Sequence, residues 1–129
     1  MLHDPIADLL TRIRNARLAR HRFVDFSPSK MKVEIIKVLQ AQGFIDRYMI
    51  DEQQGRARLF LKYAGGREPV IKGLKRISSP GLRRYVGYRQ IPHVYGGMGV
   101  AILSTPGGIV DGETARKQKL GGELLCLVW

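Results

Sequence analysis

Arg58-Leu59-Phe60-Leu61-Lys62-Tyr63 runs directly into Ala64-Gly65-Gly66-Arg67-Glu68-Pro69. The first six residues alternate, with Leu59, Leu61 and Tyr63 on one side and Arg58, Phe60 and Lys62 on the other. That is the two-residue period of a strand with one buried face. The next six break the period with two glycines and a proline, residues that turn or unlock a chain. This break sets residues 1–64 apart from residues 65–129, and the two stretches read differently.

On the N-terminal side, Gln53-Gln54-Gly55 is a turn that joins the alternating strand to an earlier one over Phe44–Ile50. Before it, Ser27-Pro28-Ser29 starts a helix and Gly43 closes it. Met31, Ile35, Val38 and Leu39 are expected to face inward there, with Lys30, Lys32 and Lys37 in water. Val24 and Phe26 read as a short strand. Further back, Asp4-Pro5 opens a first helix, because aspartate caps orphan amides and proline is favoured in the first turn. Ile6, Leu9, Leu10 and Ile13 recur at helical spacing and form its apolar stripe. Thr11, Arg12 and Asn15 lie opposite, Arg14 flanks the stripe, and Arg17, Arg20, His21 and Arg22 follow as a basic tail.

On the C-terminal side, short apolar runs are separated by glycines: Val70–Ile77, Leu82–Val86, Val100–Leu103 and Leu124–Val128. A short helix fits Glu113–Lys119, stopped by Gly121-Gly122. The sum is an α+β fold, with an N-terminal αβαββ half (1–64) packed against a β-rich C-terminal half (65–129) that carries a short helix.

The charge balance is the unusual feature of the composition. Twenty-two Lys+Arg against eleven Asp+Glu give +11 over 129 residues, which favours a polyanionic partner. Twelve basic and seven acidic residues fall in 1–64, ten and four in 65–129, so the charge belongs to folded surface and not to a tail. The single cysteine, Cys126, excludes an intrachain disulfide and fits a reducing compartment. No apolar run is long enough to span a bilayer, and Asp4 and Asp8 break any leader pattern. The expectation is a cytosolic or organelle-resident chain with no membrane partner.

Catalytic readings find no support. His3, His21 and His93 have no metal-ligand spacing with one another or with Cys126, and no phosphate-loop or nucleophile-elbow motif is present. No catalytic residue, metal, cofactor or small-molecule substrate is expected, and Cys126 between two leucines reads as a small buried hydrophobe. Two constellations remain. Ser104-Thr105-Pro106-Gly107-Gly108 follows the apolar run Val100–Leu103 and is either a plain tight loop or a set of exposed donors for sugar, phosphate and base edges. Arg83-Arg84-Tyr85 reads as strand, with Arg83 and Tyr85 on one face. Tyr85 is either a core residue between solvated arginines or a stacking platform beside cations.

Several of these segments together resemble the family of bacterial small-subunit ribosomal protein S-eight: residues 4–16, Pro28-Ser29-Lys30-Met31-Lys32, Ile77–Tyr85, Gly99–Thr105, Ala115-Arg116-Lys117 and Gly121-Gly122-Glu123. The resemblance covers essentially the whole chain. It implies a structural protein on a cytoplasmic or organelle ribosome, which binds the central domain of small-subunit rRNA early in assembly and helps build the platform. It places the main RNA contacts on Ser104, Thr105 and Glu123, with Arg83, Arg84 and Tyr85 beside them, and a second contact surface on Arg14, Asn15 and Lys30. It also implies neighbouring small-subunit proteins as partners, and repression of the chain's own mRNA. Four positions depart from the family pattern: Ser79, Pro106, Gly107 and Gly112. Ser79 and Gly107 stand where a basic residue is common, so the grip of this chain is expected to lean more on shape. The rival reading from another class is a regulator that acts mainly on mRNA, and an enzyme with a glycine-loop phosphate site is more distant.

Overall fold

The computed structural model describes residues 3–129. Helix α1 (Pro5–Leu18) begins as its sequence requires, with Asp4 accepting a 3.1 Å hydrogen bond from the Ala7 N–H and Pro5 in the first turn. Its buried face is Ile6, Leu9, Leu10, Ile13 and Ala16. Strand β1 (Phe23–Phe26), helix α2 (Lys30–Ala41), and strands β2 (Ile45–Asp51) and β3 (Arg56–Leu61) follow. The order is αβαββ as expected, and the strands form an antiparallel sheet in the order β1-β3-β2.

Helix α2 is capped by Ser29 and ends at Gly43, whose φ of +82° lets the Phe44 N–H return to the Leu39 carbonyl. Its inward face differs from the expectation. Lys32, Ile35, Ile36 and Leu39 are buried, while Met31 is 41% exposed. Those four positions complete the i, i+3, i+4, i+7 stripe. Lys32 fits on it because its alkyl stem lies against the core while its ammonium donates to the Ser27 carbonyl at 2.9 Å.

Residues 64–69 fold back on themselves: β4 (Tyr63–Ala64) and β5 (Glu68–Pro69) pair as a two-rung hairpin. Beyond it come β6 (Leu74–Arg76), β7 (Tyr85–Val86), β8 (Val100–Thr105), β9 (Gly108–Asp111), α3 (Gly112–Lys117) and β10 (Gly122–Val128). Strand β10 has β8 along one edge. Along the other it has β7 at its start and β6 at its end, and β9 closes the sheet beyond β8. Two expected strands are shorter than predicted. Lys72 and Gly73 instead donate to the Trp129 carbonyl, and Ser79 and Leu82 exchange two hydrogen bonds across the Pro80-Gly81 turn. Asp111 caps α3 through the Thr114 N–H and hydroxyl.

Helices α1 and α2 and both main sheets close over one continuous core, which includes Leu9, Ile13, Ile35, Leu59, Leu74, Ile102, Leu125 and Val128. A smaller cluster around Ile91, Leu103 and Ala115 lies beneath α3. Arginines fasten α1 to β6 and the segment before it: Arg14 donates to the Leu74 carbonyl at 2.7 Å and Arg17 to the Ile71 carbonyl at 2.8 Å. Arg76 grips both Asp4 carboxylate oxygens and the Leu125 carbonyl.

Candidate nucleic-acid interface

Strand β10 opens on Gly121-Gly122 because no side chain fits there. A Cβ on Gly122 would overlap the Ser104 carbonyl, and one on Gly121 would stand 2.5 Å from the Val86 carbonyl oxygen. The strand therefore enters between β7 and β8 at backbone contact distance. Its next residue, Glu123, lies opposite Tyr85 on one side and Ser104 on the other. Residues directly opposed on neighbouring strands share a face, so Tyr85, Glu123 and Ser104 form a row across three strands.

Glu123 is held firmly. Its Oε2 accepts from the Ser78 hydroxyl and, at 2.9 Å, from the Arg83 guanidinium. Ser78 is fully buried, and its oxygen also accepts from the Arg84 N–H at 3.1 Å. Burial pushes the Glu123 carboxyl upward, but the Ser78 and Arg83 hydrogen bonds outweigh it and leave the group below its ordinary value. The carboxylate stays ionised, and its second oxygen, Oε1, makes no hydrogen bond within the described residues. Tyr85 beside it is 71% exposed, so its ring is a platform and not a core residue. The Ser104 hydroxyl, half-buried, likewise makes no hydrogen bond among the described residues.

The structure brings Arg83, Arg84, Tyr85, Ser104, Thr105, Gly107 and Glu123 to one end of the five-stranded sheet, with two corrections. Arg83 and Arg84 do not lie on a strand, since regular pairing begins only at Tyr85. Ser78 and β10 fix them instead, with the Arg84 carbonyl accepting from the Leu124 N–H. The loop after Val100–Leu103 is also tighter than expected. Ser104 and Thr105 end β8, Gly108 starts β9, and only Pro106 and Gly107 lie between them. The Thr105 hydroxyl closes this turn, donating to the Gly108 carbonyl at 2.8 Å and accepting from the Gly107 N–H at 3.1 Å. Strand β9 was not legible in Gly108–Asp111, which offers only two apolar residues.

Arg14, Asn15 and Lys30 are not part of this row. Asn15 and Lys30 are exposed on α1 and at the start of α2, while the Arg14 guanidinium is tied to β6. Sequence reasoning missed Ser78. A serine in Ser78-Ser79-Pro80-Gly81 reads as turn, and serines are mostly exposed, so nothing in the pattern signals a buried pin for a carboxylate 45 residues away. Cys126 is buried, and burial pushes its thiol up to about 12.

The row offers an acceptor-only carboxylate, a free hydroxyl and an exposed ring, flanked by two arginines. Such a set matches the edge of an unpaired base, its ribose and the phosphates beside it.

Comparison with known proteins places the chain in a class and then in a family. It is a ribosomal protein. It belongs to the ribosomal protein S8 family, whose profile matches residues 4–129. It is 54% identical to the small ribosomal subunit protein uS8 of Protochlamydia amoebophila, covering 100% of this chain and 99% of that one. It is 52% identical to the protein of that name from Chlamydia felis (100% and 98%) and 49% identical to that from Solibacter usitatus (100% of both). The family resemblance carried by the sequence motifs, and the α+β architecture with it, are thus borne out.

Proposed function

We propose that the chain is a structural, non-catalytic constituent of the small ribosomal subunit that binds the central domain of its rRNA and helps assemble the platform. The observation that carries this reading is the Tyr85–Glu123–Ser104 row. Its ionised carboxylate, free hydroxyl and exposed ring suit an irregular RNA site with an unpaired base. Glu123 accepts from the base edge or a ribose hydroxyl, Ser104 donates, Tyr85 stacks, and Arg83 and Arg84 set the backbone in register. Thr105 and Gly107 hold the turn that presents Ser104. Asn15 and Lys30 serve a second RNA contact, with Arg14 positioning α1. Neighbouring small-subunit proteins are further partners, on a cytoplasmic or organelle ribosome. An RNA segment of the same shape in the chain's own mRNA would occupy the same row.

The test is a pair of titrations at fixed salt, using a central-domain rRNA fragment and a generic duplex. Stacking on an aromatic ring contributes about 1–3 kcal/mol per base, so Tyr85→Ala should weaken the fragment roughly tenfold to a hundredfold and leave the duplex nearly unchanged. Equal losses on both RNAs, or none on the fragment, would overturn the assignment of the row.

A further inference from the structure

Arg20, Arg22 and Arg67 line one open cleft with Tyr63, Gly65 and Gly66, and no carboxylate shares its walls. None of the three forms an ion pair among the described residues, whereas Arg12, Arg58, Arg76 and Arg83 are each held by an aspartate or glutamate. The cleft lies where two elements meet. Arg20 follows the end of α1, Arg67 lies in the turn between β4 and β5, and Arg20 donates weakly to the Arg67 carbonyl at 3.4 Å. The Tyr63 hydroxyl donates to the His21 carbonyl at 2.6 Å and fastens the chain between Arg20 and Arg22.

The backbone adds a second, independent observation. Arg20 has φ +57° and Arg67 φ +77°, the left-handed region where glycine is favoured. Arg20 stands at the position after a helix end that glycine most often fills, and Arg67 directly follows Gly66, at φ +76°. Tyr95 and Lys119 also have positive φ, but among the described residues only Arg20 and Arg67 are two such residues of the same charge that meet. Backbone strain retained beside a cleft is a mark of use. A guanidinium matches a phosphate with two parallel hydrogen bonds, and three of them with no neutralising partner make a site for phosphate oxygens.

We propose that this cleft holds the phosphate backbone of a further RNA segment, separate from those at the Tyr85–Glu123–Ser104 row and at Asn15 and Lys30; this rests on the RNA-holding reading above. The test uses the full chain and follows the arginine Nε–H resonances by NMR, with dodecauridylate, inorganic pyrophosphate and the central-domain fragment as probes. Dodecauridylate and pyrophosphate should each shift Arg20, Arg22 and Arg67. The double variant Arg20→Gly/Arg67→Gly should melt no lower than the parent, because glycine relaxes both positions. It should bind dodecauridylate several-fold more weakly, with a log–log salt slope shallower by about 0.7 for each phosphate that is no longer neutralised. Arg22→Gln, which leaves the backbone alone, should show a smaller loss in the same direction.

Shifts at Arg83 with the central-domain fragment, while Arg20, Arg22 and Arg67 stay still with every probe, would overturn the cleft and leave the row intact. Shifts with pyrophosphate but not with either RNA would overturn the RNA assignment. If neither Arg83 nor the cleft arginines responded to RNA, both readings would fall. A double variant that melted several degrees lower would show that the arginines are there for stability, and the strain argument would fail.

Discussion

Removing the Ser78 hydroxyl leaves the Arg84 N–H without its partner and takes one of two donors from Glu123 Oε2, with Arg83 the one that stays. A buried polar group left unpaired costs about 1–3 kcal/mol, so Ser78→Ala should lower the melting midpoint by several degrees. It should also weaken rRNA binding, although Ser78 is fully buried. Glu123 gives this scale its pH dependence. Its folded-state value is depressed below 4.5, so its contribution is fully present above that value and is lost as pH falls through the folded value. Melting of the parent and of Glu123→Gln at pH 7 and at pH 3 should therefore show a gap at neutral pH that narrows in acid; a constant gap would mean that the carboxylate is not held in its charged form. At this scale the residues alone left Tyr85 and the 104–108 loop open between a bland and a functional reading. The family motifs pointed to them, but the Ser78–Glu123 pin was legible in neither. Hydrogen bonds across 45 residues depend on strand pairing that no local pattern encodes.

Asp4 serves two elements at once, capping α1 and pairing with Arg76 of β6. Asparagine can still cap a helix but carries no charge for Arg76, whereas alanine does neither. Asp4→Ala should therefore be less stable than Asp4→Asn by about 0.5–2 kcal/mol, the usual worth of a cap, and Asp4→Asn should itself melt below the parent. Equal midpoints for the two variants would show that the cap contributes nothing. The elements were the most legible part of the chain. Asp4-Pro5, Ser29 and Gly43 mark helix ends through chemistry local to a few residues, and both main helices lie where those signals put them. Individual faces were less legible. Lys32 looks polar and Met31 apolar, yet the stripe that faces the core runs through Lys32, whose stem packs while its charge returns to a carbonyl. In the C-terminal half, β6 and β7 shrink because turns and the Trp129 contacts take hydrogen bonds that a longer strand would have used.

The whole molecule combines a shared core with a net charge of +11. Because buried residues of α1, α2 and both main sheets belong to one cluster, thermal unfolding should be a single transition seen alike by far-UV dichroism and by fluorescence of Trp129; two separated midpoints would mean that the halves unfold independently. The charge predicts a steep dependence of RNA affinity on ionic strength. For about four to seven phosphate contacts the log–log slope should be about −3 to −6, and Arg84→Ala should make it shallower by somewhat under one unit. A slope near zero would remove electrostatics from the account of binding.

Strand β10 is the middle of the five-stranded sheet, yet it follows every strand it joins in chain order. As the polypeptide leaves its own synthesising ribosome, β8 and β9 can pair at once as neighbours, but β6 and β7 emerge with no strand to pair with. Contacts so distant in sequence form late, because the intervening loop must close first. Residues 122–128 then seat all three partners and complete the Tyr85–Glu123–Ser104 row in the same step. The Tyr85–Glu123–Ser104 row is therefore complete only once Gly122–Val128 has paired, after the rest of the sheet has been made.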